Sequence, residues 1–289
     1  MASGGQQQWQ RAERLDADHL VEALYTKTGV RLIVEGPCAG GEVGAAYVRW
    51  ADEGRRSVLK WRPHSQVEEL RRGPLAVSAA ARAAGIPAPA TELAEQVGHA
   101  VVMVQQLLPG AKLDRLDEST LDQALRLNQQ QANLLAQRQD IPAVQLYLQE
   151  DGPGYCLHEP LRQHSSRGAA LDRRISQIDG AAVAGNDAVH FDFHPGNLLA
   201  IQGAITGVVD WDGAGRGDRR LDLVTLRFGV HPGAGPEVTR RLDDVLDQVP
   251  EDVLKPLWAH MSLRMTDWAI RHHAPEDLHQ WLELAEQRL

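Results

Sequence analysis

Apolar residues recur at helical spacing in Leu20, Val21, Leu24 and Tyr25, which predicts an amphipathic helix over 18–27. Three short runs rich in β-forming residues follow: RLIVEG (31–36), AAYVRWA (45–51) and SVLKW (57–61). PCAGGEV and DEGRR join them and are turn-forming, so the pattern predicts an antiparallel meander with a glycine-rich first turn. Ser65 and Glu68 have the spacing of a capping box that opens a helix. Gly73-Pro74 interrupts that helix, LAVSAAARAAG resumes it, and it stops at Gly85. IPAPA then forces extended chain. HAVVMVQQL (99–107) reads as a buried strand and LPGAKLD as a connector. From Ser119, STLDQALRLNQQQANLLAQR reads as one long helix, and 222–288 is mostly helical, with Leu and Trp three and four residues apart. Residues 151–187 follow no period and suit a lid, a substrate loop or an irregular insertion. The first hundred residues are therefore sheet-rich and the rest helix-rich, with no internal repeat.

Composition narrows the class. A chain of 289 residues can form one large domain or two lobes. No apolar run reaches the roughly 18 residues needed to span a bilayer, and the polar N-terminus lacks the apolar core of a secretory signal. Cys38 and Cys156 lie far apart without metal-like spacing, which fits free thiols in a reducing cytoplasm. A net charge of −9 argues against a nucleic-acid partner. It also allows mild steering of cationic small molecules.

The chemistry concentrates in HFDFHPGN (190–197) and in DWD (210–212). Asp192 and Asn197 are five residues apart, and Asp210 follows an apolar strand. A carboxylate and an amide oxygen from separate segments suit Mg2+, a hard cation that takes its other ligands from phosphates and water. A second carboxylate off the metal could accept a proton from an attacking hydroxyl. Together these describe phosphoryl transfer. The alternation His-x-Asp-x-His would also suit a metallohydrolase, but that reading leaves Asn197, the glycine turn and Lys60 without a role. Trp258, Trp268 and Trp281 read as core, with a cap over substrate as the alternative. Asp267, Glu276 and Asp277 read as solvated helix charges, and Asp212 as an accessory or surface acid.

HFDFHPGN, VVDWD and GDRRLDL resemble, in that order, the aminoglycoside phosphotransferase family, whose loop reads H-G-D-x-H-x-x-N. His190, Asp192, His194 and Asn197 match it. The resemblance implies an α+β, bilobal, protein-kinase-like fold. A small antiparallel-sheet N-lobe would cover 1–104, a hinge 105–110, and a larger, mainly helical C-lobe 111–289. It implies Asp192 as catalytic base, Asn197 and Asp210 as Mg2+ ligands, and His190 and His194 as braces of the loop. Asp218 and Asp222 would be structural acids of the C-lobe. The turn with Gly40, Gly41 and Gly44 resembles a phosphate-covering loop, and Lys60 the lysine that contacts the α- and β-phosphates. Backbone groups around Gln105, Gln106 and Leu107 would meet the adenine.

Three departures stand out. Phe191 occupies the usual glycine position and must find apolar space or shift the loop. Counting back from GIPAPA for the glutamate that pairs with Lys60 reaches Gly73, Pro74 and Leu75, so Glu69 is the substitute. GDRRLDL lacks the proline frequent after its aspartate. The expected activity is transfer from ATP, with GTP open as donor, to a hydroxyl of a small molecule. A cationic antibiotic, an aminoglycoside or a basic peptide, heads the acceptors, with resistance as the outcome. Metabolic kinases of choline, ethanolamine, homoserine, thiamine or sugars are the rivals, and a catalytically silent nucleotide-binding module the reading from another class.

Overall fold

The computed structural model describes residues 14–38, 44–180, 184–230 and 234–289. Helix α1 (Ala17–Thr28) starts where the Asp16 carboxylate accepts the His19 N–H at 3.1 Å, and stops at Gly29 in the left-handed conformation. Its Leu20 and Leu24 pack on a five-stranded antiparallel sheet of order β1-β2-β3-β5-β4. The strands are β1 (Leu32–Pro37), β2 (Ala45–Trp50), β3 (Arg56–Pro63), β4 (Thr91–Val97) and β5 (Ala100–Gln106). Alternation decides which side chains enter this core. Val48, Leu59, Val102 and Val104 are fully buried in the cluster shared with α1. Lys60, one residue on from Leu59, lies in register with Ala45 and Met103. The edge strand β4 does not stand out in the sequence, because TELAEQV mixes charged and apolar residues and is half-buried throughout.

Helix α2 (Val67–Arg72) corrects the expected capping box. The Val67 N–H is satisfied by the Gln96 side chain at 3.0 Å, while the Ser65 hydroxyl donates to the Pro63 carbonyl at 3.4 Å. Glu68 pairs with Arg71 at 2.8 Å instead of closing a box.

The chain forms two compact units, Met1–Arg71 with Pro89–Leu107, and Arg72–Ala88 with Leu108–Leu289. The change of unit after Leu107 falls within the expected hinge, 105–110. Helix α3 (Pro74–Ala83) goes with the second unit, where its Val77 and Ala81 join the large core. In that unit, β6 (Ala111–Lys112), β8 (Leu198–Ile201) and β9 (Ala204–Val208) make a sheet of order β6-β8-β9. A second pair joins β7 (Asp187–Val189) to β10 (Gly215–Gly217). Gly110 leads into β6 with φ +115°, and a Cβ there would lie 2.6 Å from Thr206 Oγ1 and 3.0 Å from the Ala200 carbonyl oxygen. Only glycine allows so close an approach.

Helix α4 (Glu118–Gln130), with a capping box between Asp117 and Thr120, ends eight residues before the expected Arg138. Gln131, at its C-cap, is buried and spends its side chain on Asp222 and Asn128, and Asn133 turns the chain at φ +55°. The unassigned 151–187 stretch contains α5 (His158–His164) and α6 (Ser166–Ser176). Both are short, and their buried faces carry His158 and Asp172, joined at 2.7 Å, which disguises them in a hydropathy pattern.

Helices α7 (Arg220–Phe228), α8 (Pro236–Leu246), α9 (Glu251–Arg271) and α10 (Pro275–Arg288) complete the unit. Trp258 and Trp281 are core residues. Asp267 is no solvated charge: it is fully buried, pairs with Arg271 at 2.7 Å and accepts the Leu157 N–H at 2.8 Å. Among the described residues no helix is long and apolar enough to cross a membrane, and neither Cys38 nor Cys156 is in a disulfide.

Candidate active site

Strand β7 delivers His190, where the chain leaves the sheet. Asp222 on α7 holds the turn: its carboxylate accepts the backbone N–H of His190 and of Phe191, each at 2.8 Å, and the Gln131 side-chain amide at 3.1 Å. Burial pushes the Asp222 carboxyl up to about 7, against the pull of those three donors. Gln131 is in turn held by Asn128, which bonds the Arg219 carbonyl and guanidinium, both at 2.8 Å. Asp218 acts nearby, accepting the Arg220 N–H at 2.9 Å and pairing with the Arg220 guanidinium.

His190 is fully buried. Its Nε2 donates to the Val209 carbonyl at 3.0 Å, while Nδ1 accepts the Asp192 N–H at 3.2 Å. Burial lowers this imidazole to about 4, so it is uncharged at neutral pH and works as a spacer. Val209 also donates its N–H to the Asn197 carbonyl at 2.9 Å. One residue before Asp210 thus pins both ends of the 190–197 loop.

The Asp192 carboxylate is held by partners on two elements. The Asn197 side-chain amide donates to Oδ2 at 3.0 Å and to the Asp192 carbonyl at 2.9 Å. His194 Nε2 lies 3.5 Å from Oδ2, and Arg264 of α9 approaches Oδ1 at 3.3 Å. Desolvation raises the carboxyl's pKa, but His194 and Arg264 outweigh it and hold Asp192 well below the usual carboxylate range. His194 Nδ1 also accepts the Gly196 N–H at 3.2 Å, capping the short 3-10 turn Pro195–Asn197. Asn197 is buried, and since its amide nitrogen serves Asp192, its oxygen is the atom left for a cation. Asp210 follows β9 in the left-handed region, at φ +68°. Amide and carboxylate oxygens of this kind fit Mg2+.

Phe191 also takes the left-handed conformation, φ +73°. The loop therefore keeps the backbone that glycine adopts freely, at a cost of about 1–3 kcal/mol. The ring finds its space against Gly213, where a Cβ would lie 3.0 Å from Phe191 Cδ1. The His260 ring stands 5.5 Å away and the Arg264 guanidinium 4.6 Å from its centroid. Neither Arg264 nor Gln131 carries a sequence signal, since both act on the loop from distant helical segments.

In the first unit, half-buried Lys60 sits on β3, and Gln105 and Gln106 close β5. The Gln106 N–H is already given to the Ala90 carbonyl at 2.8 Å. Gly44 has φ +83°, whereas Gly40 and Gly41 lie outside the described residues. The expected partner of Lys60, Glu69, lies on α2. It is exposed there, while the next residue, Leu70, is buried.

The model of the APH phosphotransferase enzyme family matches residues 36–257. No curated protein matches the chain. Among solved structures, a thermostable mutant of aminoglycoside phosphotransferase APH(4)-Ia in ternary complex with AMP-PNP and hygromycin B is 17% identical. The match covers 93% of this chain and 97% of that one, with a TM-score of 0.64. An aminoglycoside-3'-phosphotransferase of type VIII is 20% identical over 85% and 99% of the two chains, TM-score 0.56. A putative fructosamine-3-kinase from Haemophilus somnus 129PT is 13% identical over 93% and 96%, TM-score 0.57. Likeness at this identity shows the shared kinase-like fold, and the family match spans the whole of the 190–197 loop. With both in hand, the chain belongs to the APH phosphotransferase enzyme family.

Proposed function

We propose that this protein transfers the γ-phosphoryl group of ATP to a hydroxyl of a small molecule, with Asp192 as the base. The observation that carries the reading is the Asp192 carboxylate, ionised and braced on both oxygens by Asn197, His194 and Arg264. In the transfer, the acceptor oxygen forms a bond to the γ-phosphorus as the bond to the β,γ-bridging oxygen breaks. ADP leaves, and the hydroxyl proton passes to an Asp192 Oδ atom. Asn197 and Asp210 would hold Mg2+, which supplies charge neutralisation at the phosphates. Lys60 would contact the α- and β-phosphates, and backbone groups from Gln105 to Leu107 the adenine, under the turn that includes Gly40, Gly41 and Gly44. His190 and His194 support the loop, and Asp218 and Asp222 the segment behind it.

For the acceptor, a cationic antibiotic leads. The net charge of −9 favours attraction of a cation, and a similar structure was solved with hygromycin B. The phosphorylated drug would be inactive, conferring resistance on a cytoplasmic host of the enzyme. The likeness to a putative fructosamine-3-kinase supports the second reading, a metabolic kinase of a sugar or amino alcohol.

The test is ADP release with Mg2+ and ATP or GTP across basic antibiotics, sugars, choline, ethanolamine and homoserine, with Asp192→Asn as control. Acceptor-dependent turnover that disappears in D192N supports the proposal. Tight nucleotide binding with no turnover on any acceptor would point to a silent nucleotide-binding module.

A further inference from the structure

We infer that Arg264 is a positioning residue for Asp192 and that the ring of Phe191 is its platform, an inference that rests on the phosphotransferase reading above. The two oxygens of Asp192 are held unequally. Oδ2 is fixed within the loop by Asn197 at 3.0 Å, with His194 at 3.5 Å. Oδ1 is held from outside the loop, by Arg264 at 3.3 Å. Without that contact the carboxylate is pinned at one corner and can rotate about its Cβ–Cγ bond. Rotation swings the lone pair that must face the acceptor hydroxyl, and a displacement of about 1 Å at such a group costs on the order of 100-fold in rate.

The surroundings of Arg264 leave it committed to this task. Asp267, on the same helix, is taken by Arg271 at 2.7 and 2.7 Å. Cys156 shares a hydrogen bond with Arg264, but burial pushes its thiol up to about 11, so it supplies no counter-charge at neutral pH. His260, one turn earlier on α9, is lowered by burial and by Arg264 itself to about 3, and accepts the Tyr147 N–H at 3.1 Å as a neutral ring. Among the described residues, Asp192 is the carboxylate that pairs with Arg264.

Phe191 then has a physical reason. At φ +73° a glycine would be unstrained, yet the chain carries a large ring there. The ring lies between Gly213, which has no Cβ to obstruct it, and the guanidinium 4.6 Å from its centroid. A cation over an aromatic face is held without consuming its N–H donors. Arg264 is thereby steadied by its neighbour in the loop while an N–H remains directed at Asp192.

The experiment compares kcat and KM for R264M, R264K, R264A, F191L and the double variant F191L/R264M, with melting temperatures for each. R264M is expected to lose ~10–100-fold in kcat with nucleotide KM within ~2-fold of wild type. R264K should recover part of the loss, and guanidinium in solution should restore turnover to R264A but not to D192N. F191L, which keeps apolar bulk but loses the π-face, should lose less, ~3–10-fold. The double variant should be no slower than R264M alone, because both changes remove one device. Should R264M fail to fold, R264K and F191L carry the comparison. Wild-type kcat in R264M, or a loss confined to acceptor KM, overturns the inference. A wild-type protein that transfers phosphate to no acceptor overturns the phosphotransferase reading first, and this inference with it.

Discussion

Replacing Asp222 should unfasten the catalytic loop from the helix behind it. Its carboxylate is the acceptor for two backbone N–H groups, those of His190 and Phe191, and for the Gln131 amide. The residue is wholly buried, so Asp222→Ala would strand these donors away from water. Each unsatisfied buried group costs about 1–3 kcal/mol, so the three donors together give about 3–9 kcal/mol for D222A. Against a total stability of about 5–15 kcal/mol that is a large fraction. Urea unfolding at pH 6 measures it directly, provided the m-value is unchanged. A D222A protein within about 1 kcal/mol of wild type would refute the claim that this carboxylate holds the loop.

The same residue predicts a pH dependence. Its folded pKa, raised by burial to about 7, lies above the ordinary aspartate value of 3.8. Between those values the folded protein keeps a proton that the unfolded chain releases. The associated stability is full below about 4 and is lost as pH rises through about 7. Asp222→Asn has no such proton, so the stability gap between wild type and D222N should narrow from pH 5 to pH 8. A gap that widens over that range would mean that Asp222 folds ionised.

Other outcomes follow from single contacts. Asp267→Asn should cost about 3–5 kcal/mol in urea unfolding, because it removes the buried carboxylate charge that pairs with the Arg271 guanidinium. Gly110→Ala should lower stability by about 2 kcal/mol or more, since φ +115° and the contact with Thr206 Oγ1 both oppose a Cβ. Removing divalent cations with EDTA should abolish ADP release, and added Mg2+ should restore it. In calorimetry, Asn197→Ala should weaken Mg2+-dependent nucleotide binding while binding without metal stays unchanged.

What could be read in the sequence was chemistry carried by contiguous residues. HFDFHPGN places a carboxylate, two imidazoles and an amide within eight residues, and the sheet meander is written in clean alternation from Leu32 to Trp61. Elements whose buried faces are polar were not legible. Helices α5 and α6 bury His158 and Asp172, and strand β4 is half-buried along its length. The long helix from Ser119 stops early because Gln131, an ordinary helix former, is needed by Asp222 across the core. Asp267 looks like a surface acid because its partner, Arg271, is one turn on, a spacing equally common on exposed helices. Arg264 reaches the site from 72 residues beyond Asp192, a separation at which no local pattern survives.

The double hold of Val209 on His190 and Asn197 has a consequence for how the gene can change. Asn197 and Asp210 are joined through β8 and β9, yet their spacing in the fold is set at the base of that hairpin, where Leu198 pairs with Val208. The tip, Gln202 and Gly203, is exposed and is tied down by Gln123, which bonds the Gly203 carbonyl and the Ile205 N–H. Residues inserted at the tip would forfeit those two bonds and leave the pair of oxygen donors where they are. One extra residue between His190 and Asn197 has no such outlet. Length variation among descendants of this sequence should therefore collect at 202–203 and spare 190–197, and a peptide tag placed at the tip is the economical way to label the enzyme.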